Sequence, residues 1–181
     1  MSKPDSKSSD KSPYLDVIVG LGSNLGDRLR HMLSAIDPLD QHPDYHIKAT
    51  SAVYESPAMG PPQPDYLNSA LRLHIHLPLQ ESTPAQKYAQ LDALWHRLHA
   101  IEIQQGRMRT QRWGPRTLDL DILWCNQGAV LTPYLRIPHP GLQQRNFALA
   151  PLLDVAPELV GKYAPYLDAL GGAPKKVGQL R

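Results

Sequence analysis

The segment Thr117-Leu-Asp-Leu-Asp-Ile-Leu123 constrains the fold of this 181-residue chain more than any other stretch. Apolar side chains alternate with aspartates, and this period of two predicts a β-strand with its leucines and isoleucine on one face. Asp119 and Asp121 then share the opposite face. We therefore expect a strand that packs one face into a core and presents two neighbouring carboxylates from the other.

The two aspartates repel each other by about 2 kcal/mol at a spacing of roughly 7 Å and an effective dielectric constant of about 20. A folded protein rarely keeps such a pair without a cation. One interpretation is a surface ion network in which nearby arginines neutralise the pair. The other is a magnesium site, because Mg²⁺ commonly takes one or two carboxylates plus phosphate oxygens.

The segment before this strand carries four arginines with no acidic residue among them, Arg107, Arg109, Arg112 and Arg116. Guanidinium groups bind phosphate oxygens bidentately, and like charges on one glycine-containing segment predict a mobile loop. This loop beside two carboxylates favours Mg-nucleotide chemistry, in which paired metal ions hold both the attacking and the leaving oxygen.

Composition favours one domain over residues 14–181, since 41% of the residues are hydrophobic and 20% are charged. A net charge of +2 does not favour non-specific nucleic-acid binding. The single cysteine, Cys125, excludes an intramolecular disulfide and favours a reducing compartment, the cytoplasm. No apolar run is long enough to span a membrane. Residues 1–13 are polar and predict a disordered tail.

Hydrophobic periodicity predicts two helices and four strands between residues 16 and 124. The strands are expected at residues 16–20, 46–55, 69–77 and 117–123, and the helices at 24–39, capped by Ser23 or Asn24, and from Pro84, capped by Ser82 or Thr83, to near Gly106. The order β-α-β-β-α-β predicts an α+β fold, a ferredoxin-like sheet backed by helices. A C-terminal extension follows, in which a short helix begins near the end of residues 145–154 and further Pro and Gly residues break up the chain.

The segment Gly20-Leu-Gly22-Ser-Asn-Leu-Gly26 is similar to a nucleotide-binding loop but fails its tests. Its third glycine is one position late for G-x-G-x-x-G, and no Gly-Lys-Ser/Thr follows. A turn between strand and helix is the better interpretation. His74 and His76 share a strand face, but without a third ligand we interpret them as an ordinary polar face.

The segment from Ser56 to Asn68 contains four prolines and one glycine, which predicts a long loop outside the regular sheet. Loops of this kind often carry binding residues. Tyr66 and Asn68 have a second interpretation, as a packed aromatic side chain and a cap at the start of a strand.

Five segments in this order, GLGSNLGDR, SAVYESPAMG, QPDYLNSAL, RWGPRTLDLDIL and IPHPGLQQRNF, resemble the 6-hydroxymethyl-7,8-dihydropterin pyrophosphokinase family. The resemblance covers roughly residues 17–160, and RWGPRTLDLDIL is its most specific part. It implies an Mg-dependent enzyme of folate biosynthesis that transfers pyrophosphate from ATP to the pterin hydroxymethyl group and releases AMP. The ligands that it implies are two Mg²⁺ ions, ATP and 6-hydroxymethyl-7,8-dihydropterin. It further implies a monomer in the cytoplasm that binds neither nucleic acid nor a membrane.

The resemblance also implies roles for individual residues. Asp119 and Asp121 hold the metal ions, and with Arg107 and Arg116 they form the catalytic set. The nucleotide contacts it implies are Arg109, Arg112, Arg116, Ile122, His139 and Arg145, with Ile122 lining the adenine pocket. The pterin contacts it implies are Ser56, Pro57, Met59, Tyr66, Asn68, Trp113 and Phe147. Pro140 stands where members of the family can have tyrosine, and the loop before Tyr66 differs in length.

Two competing functions remain. An RNA-binding module shares this order of elements, but it predicts stacking aromatic residues on two central strands, and residues 16–20 and 69–77 contain none. The other alternative keeps the ATP site but ends in single phosphoryl transfer or hydrolysis, which the residues alone do not separate from pyrophosphoryl transfer.

Overall fold

The computed structural model describes residues 14–77, 83–107 and 114–181, and within them the chain forms eight strands, five α-helices and two short 3-10 helices. The strands are β1 (Tyr14–Ser23), β2 (Tyr45–Thr50), β3 (Ala52–Ser56), β4 (Tyr66–His76), β5 (Asp119–Cys125), β6 (Val130–Leu131), β7 (Arg136–Ile137) and β8 (Lys175–Gln179). The helices are α1 (Arg28–Ser34), α2 (Ile36–Asp40), α3 (Pro84–Gln104), α4 (Asn146–Val155) and α5 (Val160–Ala169). The predicted N-terminal tail lies outside the described residues.

The main sheet runs in the order β5-β1-β4-β3-β8, and β2 pairs with β4 alongside β3. Every pairing is antiparallel. Apolar side chains on one face pack against α1, α2 and α3, and those on the other face pack against α4 and α5. The prediction of an α+β fold with a helix-backed sheet is therefore confirmed, and the C-terminal extension covers the second face.

The predicted helix at residues 24–39 was wrong in its cap and its continuity. Asp27 caps α1, because its Oδ1 accepts a hydrogen bond from the Arg30 N–H at 3.1 Å. The helix breaks between α1 and α2. Pro38 explains the break, since it has no N–H for the Ser34 carbonyl and its ring crowds that oxygen.

The single strand predicted at residues 46–55 is two strands, β2 and β3, which meet at Ser51. The Ser51 hydroxyl accepts a hydrogen bond from the Ala70 N–H at 2.8 Å. A side-chain oxygen thus takes the place of a backbone carbonyl in the ladder, and the regular pairing is interrupted there. β4 begins earlier than predicted, so Tyr66 and Asn68 lie on a strand and not in the preceding loop.

The helix predicted from Pro84 to near Gly106 is confirmed as α3. Thr83 and Gln86 form a reciprocal capping box at its start. Its buried stripe consists of Leu91, Leu94, Leu98, Ile101 and the charged Glu102.

The C-terminal part is more regular than predicted. α4 spans almost all of residues 145–154 instead of beginning near their end, because Leu149, Leu152 and Val155 recur at helical spacing and pack on the sheet. β8 was missed, because its residues are all exposed and it is held by backbone pairing to β3. Among the described residues, no helix is long and apolar enough to cross a membrane.

Candidate active site

An open cavity lies between the sheet and α4. Strand residues of β1, β4 and β5 line its floor and sides, and α4 lines the face opposite. Its lining residues are Gly20, Leu21, Gly22, Ser56, Pro57, Met59, Tyr66, Asn68, Ser69, Arg116, Asp119, Asp121, Leu123, His139, Arg145, Phe147 and Ala148. The cavity therefore gathers most of the predicted site residues from four separate parts of the chain.

The two glycines of β1 lie directly beside the two aspartates of β5. In the strand register Gly20 is opposite Asp121, and Gly22 is opposite Asp119. A Cβ atom at Gly22 would lie 3.6 Å from Tyr66 Cδ1 and 3.8 Å from the Asp119 Cβ. The missing side chain at Gly22 thus leaves room next to Asp119, whereas a Cβ at Gly20 would lie 3.0 Å from Leu123 Cδ1. The interpretation of these glycines as a turn was wrong, because β1 continues past both of them.

The alternation predicted for β5 is confirmed. Leu120 and Ile122 are buried in the core beneath α3, and Asp119 and Asp121 line the cavity on the opposite face. Ile122 is only 4% exposed and does not line this cavity, where Leu123 lies instead. The predicted contact between Ile122 and adenine stays a prediction.

Asp119 forms ion pairs with two of the predicted arginines. Arg107 Nη2 lies 2.7 Å from its Oδ1, and Arg116 Nη1 lies 2.6 Å from its Oδ2. This is the arginine network that was the alternative to a metal site, and it involves one aspartate of the pair. Arg107 is nearly buried, with 8% of its side chain exposed, and it does not itself line the cavity.

Asp121 has no ion pair within the described part of the chain. Burial, followed by the nearby negative charges of Asp119 and Glu102, raises the pKa of Asp121 to about 7, against the opposing effect of the arginines. The two aspartates are therefore electrostatically different: Asp119 is neutralised by protein cations, whereas the charge of Asp121 lacks a direct partner.

Glu102 is a member of the site that the sequence interpretation missed. It is 1% exposed, it accepts a hydrogen bond from the Leu120 N–H at 2.7 Å, and it forms an ion pair with Arg107. Glu102 thus ties α3 to β5 and holds Arg107 beside Asp119. Its signal was available, because an acidic residue four positions after Leu98 falls on the buried stripe of the helix.

Two aromatic rings from different elements line the cavity. Tyr66 comes from β4 and Phe147 from α4, and both are half-buried. The buried Asn68, two residues after Tyr66 on β4, donates from Nδ2 to Ser56 Oγ at 2.9 Å. Pro57 and Met59 continue the rim, and 54% of Met59 is exposed. The structure thus brings the predicted pterin residues together, apart from Trp113.

His139 and Arg145 line the cavity near Gly141. The Gly141 N–H donates to His139 Nδ1 at 3.1 Å, which places the proton of the neutral ring on Nε2. Burial, followed by the charge of Arg145, lowers the pKa of His139, so the ring is neutral near pH 7. A Cβ at Gly141 would lie 2.8 Å from Cζ of Arg145, so the glycine makes room for this guanidinium.

Three of the predicted site residues, Arg109, Arg112 and Trp113, lie outside the described residues. The histidine pair on β4 is away from the cavity. His74 stacks on Tyr14 with ring centroids 5.3 Å apart and lies 3.6 Å from an Asp16 carboxylate oxygen.

The chain matches the family model of 7,8-dihydro-6-hydroxymethylpterin-pyrophosphokinase (HPPK) over residues 18–157. It is 40% identical over 157 residues to a 2-amino-4-hydroxy-6-hydroxymethyldihydropteridine pyrophosphokinase of Pseudomonas aeruginosa, covering 84% of this chain and 90% of that protein. To the enzyme of the same name from Synechocystis it is 39% identical over 143 residues, covering 79% of this chain and 67% of that protein.

A solved structure described as HPPK-DHPS in complex with substrates shares the fold, with a TM-score of 0.58 at 12% sequence identity. The match covers 87% of this chain and 44% of that chain, so this chain spans less than half its length. The family model and the relatives agree with the geometry of the cavity. This chain belongs to the 7,8-dihydro-6-hydroxymethylpterin-pyrophosphokinase family.

Proposed function

We propose that this protein transfers pyrophosphate from ATP to the hydroxymethyl group of 6-hydroxymethyl-7,8-dihydropterin and releases AMP, as a step of folate biosynthesis. The observation that carries the proposal is the combination of two unlike surfaces in one cavity. Asp119, Asp121 and Arg116 form a charged side suited to a metal-bound triphosphate, and Tyr66 and Phe147 form an aromatic side suited to a flat bicyclic ring.

Magnesium fits the charged side. Within the described residues no group of three or more His, Cys, Asp or Glu side chains is placed to hold a metal ion. Asp119 and Asp121 would therefore supply two carboxylates, and phosphate oxygens and water would complete the shell, as is usual for Mg²⁺. The unpaired charge of Asp121 supports this assignment, because a bound cation would stabilise its ionised form. When bound, Mg²⁺ neutralises phosphate charge.

Arg116 and Arg107 would act through position and charge. Arg116 lines the cavity and holds its guanidinium against Asp119, where phosphate oxygens can compete for its donors. Arg107 is held behind it by Glu102 and Asp119. Neither arginine can give up its proton at neutral pH, so both serve as fixed positive charges as negative charge grows on the leaving AMP.

The transfer forms one bond and breaks one. The hydroxymethyl oxygen bonds to the β-phosphorus of ATP, while the bond from that phosphorus to the oxygen bridging the α- and β-phosphates breaks. AMP leaves with that oxygen, and the hydroxyl proton is released. His139, with its proton on Nε2, and Arg145 both line the cavity and would donate to the nucleotide or its phosphates.

The aromatic side would hold the pterin. Stacking a ring between Tyr66 and Phe147 buries both of its faces, and the amide of Asn68 and the loop from Ser56 to Met59 supply polar groups for its edge. Trp113 and the arginines at positions 109 and 112 keep the roles that the resemblance implies, as predictions.

The finer fold and cellular assignments belong to the same proposal. The antiparallel order β5-β1-β4-β3, with connecting helices on one face, supports a ferredoxin-like arrangement for residues 14–125. A monomer in the cytoplasm, with ATP and the pterin as its only partners, stays a prediction. The single cysteine, Cys125, supports the reducing compartment alone.

Product analysis tests the proposal. The protein is incubated with ATP, Mg²⁺ and 6-hydroxymethyl-7,8-dihydropterin, and AMP, ADP and the pterin product are separated. We expect AMP and the pterin diphosphate in equal amounts. ADP as the nucleotide product would overturn the proposal in favour of single phosphoryl transfer or hydrolysis. An Asp121→Asn variant serves as the control for a contaminating kinase.

A further inference from the structure

Asn24 lies just after β1 and is 1% exposed. Its side-chain Oδ1 accepts a hydrogen bond from the Arg116 N–H at 2.7 Å. The Asn24 N–H in turn donates to the Arg116 carbonyl at 3.0 Å, so both backbone polar groups of Arg116 are held by one residue. Asn24 therefore fixes the position of the Arg116 backbone, from which the side chain that pairs with Asp119 extends.

The other end of the same amide contacts the segment that leads into Tyr66. Asn24 Nδ2 donates to Gln63 Oε1 at 3.0 Å and to the Pro64 carbonyl at 3.0 Å. Pro64 comes two residues before Tyr66, the aromatic side chain of the cavity. Both Nδ2 hydrogens and one lone pair of Oδ1 are therefore used, and the planar amide links two segments that are otherwise distant in the sequence.

We propose that Asn24 is a positioning residue that couples the phosphate side of the site to the pterin side. A shift of Arg116 on binding phosphate moves the amide, and the amide moves the segment that leads into Tyr66. By linkage the effect is reciprocal, so each substrate raises the affinity for the other. This inference rests on the proposed function, because it assigns the two sides to the two substrates.

A solely structural role would predict something different. A buried asparagine that only stabilises its turn would lower the free energy of unfolding when replaced, and would weaken each ligand equally whether or not the other is present. Coupling is the ratio of the affinities for one ligand measured with and without the other ligand in the same variant. A loss of stability alone leaves this ratio unchanged.

The test uses the full chain and two neighbouring variants. Asn24→Asp keeps an oxygen for the Arg116 N–H but removes both donors to Gln63 and Pro64. Ser23→Ala is the matched control, because it removes a hydrogen bond of 2.6 Å from Ser23 Oγ to the Thr117 carbonyl but no contact to the Gln63 segment. The dissociation constant of 6-hydroxymethyl-7,8-dihydropterin is measured calorimetrically with and without saturating Mg²⁺ and α,β-methylene-ATP, which cannot be cleaved at the bond that breaks.

We expect the wild-type protein to bind the pterin roughly tenfold or more tightly with the nucleotide analogue present, a usual size for such coupling. Asn24→Asp should reduce that ratio to about two, raise the KM for the pterin at saturating ATP, and leave the affinity for each ligand alone within about threefold. Ser23→Ala should keep the wild-type ratio.

An unchanged ratio in Asn24→Asp would overturn the inference, and so would a wild-type ratio of one or an equal loss in Ser23→Ala. If the wild-type protein releases AMP in the product assay but Asn24→Asp keeps the wild-type ratio of pterin affinities, this inference alone fails. If the wild-type protein binds neither ligand, the proposed function fails and the inference fails with it.

Discussion

Arg107 Nη2 lies 2.7 Å from Asp119 Oδ1, and no such partner within the described residues reaches Asp121, the other aspartate of the same strand face. Two residues that were interpreted as an equivalent pair therefore have different surroundings. The ion network and the metal site are not exclusive, since one aspartate takes part in the network and the other carries the uncompensated charge. This difference gives the two positions opposite responses to the same substitution.

Asp119→Asn and Asp121→Asn should shift stability in opposite directions when metal is chelated. Asp119→Asn removes the partner of Arg107 and Arg116 and should lower the free energy of unfolding by about 1 to 3 kcal/mol, the usual range for a hydrogen bond to a charged group. Asp121→Asn relieves the repulsion between the two aspartates and should raise the free energy of unfolding by about 1 to 2 kcal/mol. Urea unfolding in chelator measures both.

Both variants should also lose AMP release in saturating Mg²⁺ by about 100-fold or more, because each removes a carboxylate that would hold the Mg²⁺ ions that neutralise phosphate charge. An Asp121→Asn variant with lowered stability and near-normal turnover would contradict the metal assignment for that residue. Glu102→Gln is a useful comparison, because it changes a buried acid of the same network without altering the cavity lining.

The stability of the metal-free protein should depend on pH through Asp121. Its pKa in the folded protein is about 7, above the ordinary value of 3.8, so folding favours the protonated form. The stabilisation of the folded protein by protonated Asp121 is fully present below about pH 4 and is lost as pH rises through 7. In chelator, the advantage of Asp121→Asn over wild type should thus grow between pH 5 and 8, and excess Mg²⁺ should remove it. Urea unfolding at four pH values is the measurement, and an advantage independent of pH would contradict the assignment.

Replacing Phe147 should separate the two substrates. Phe147→Ala removes a stacking face and should weaken pterin binding by about 1 to 3 kcal/mol, by analogy with base stacking, while ATP binding changes little. Phe147→Leu is the matched control, because it keeps most of the apolar volume without the ring. If Phe147 acts only in the core, Phe147→Ala should instead lower stability by about 3 to 5 kcal/mol and weaken both ligands together.

Gly141→Ala should act on ATP through Arg145. The new Cβ would lie 2.8 Å from the Arg145 Nε and Cζ, so the guanidinium must move, while the φ of −88° at Gly141 suits alanine. Calorimetry should show a loss of ATP affinity of about three- to tenfold, with pterin affinity and melting temperature nearly unchanged. In the double variant with Arg145→Ala, the alanine at position 141 should cause no further loss. A further loss would mean that Gly141 contributes in another way.

Local patterns along the chain determined several secondary-structure elements of this protein and its family. The alternation in residues 117–123 predicted which side chains of β5 face the core, and a capping hydroxyl before Pro84 marked the start of α3, because these signals depend on neighbours within one or two turns or pleats. The order of motifs was enough to identify the family. The same motifs also contain most of the residues that line the cavity.

Tertiary structure decided which partners the polar groups find. Asn24 was interpreted as a helix cap, but Arg116 lies 92 residues further along the chain and takes its side chain instead. Gly20 and Gly22 came to line the site only because β5 pairs beside them. Asp119 and Asp121 looked alike in sequence, yet Arg107, held by Glu102, reaches only one of them. Burial and pairing are properties of distant segments brought together, and no period along the chain encodes them.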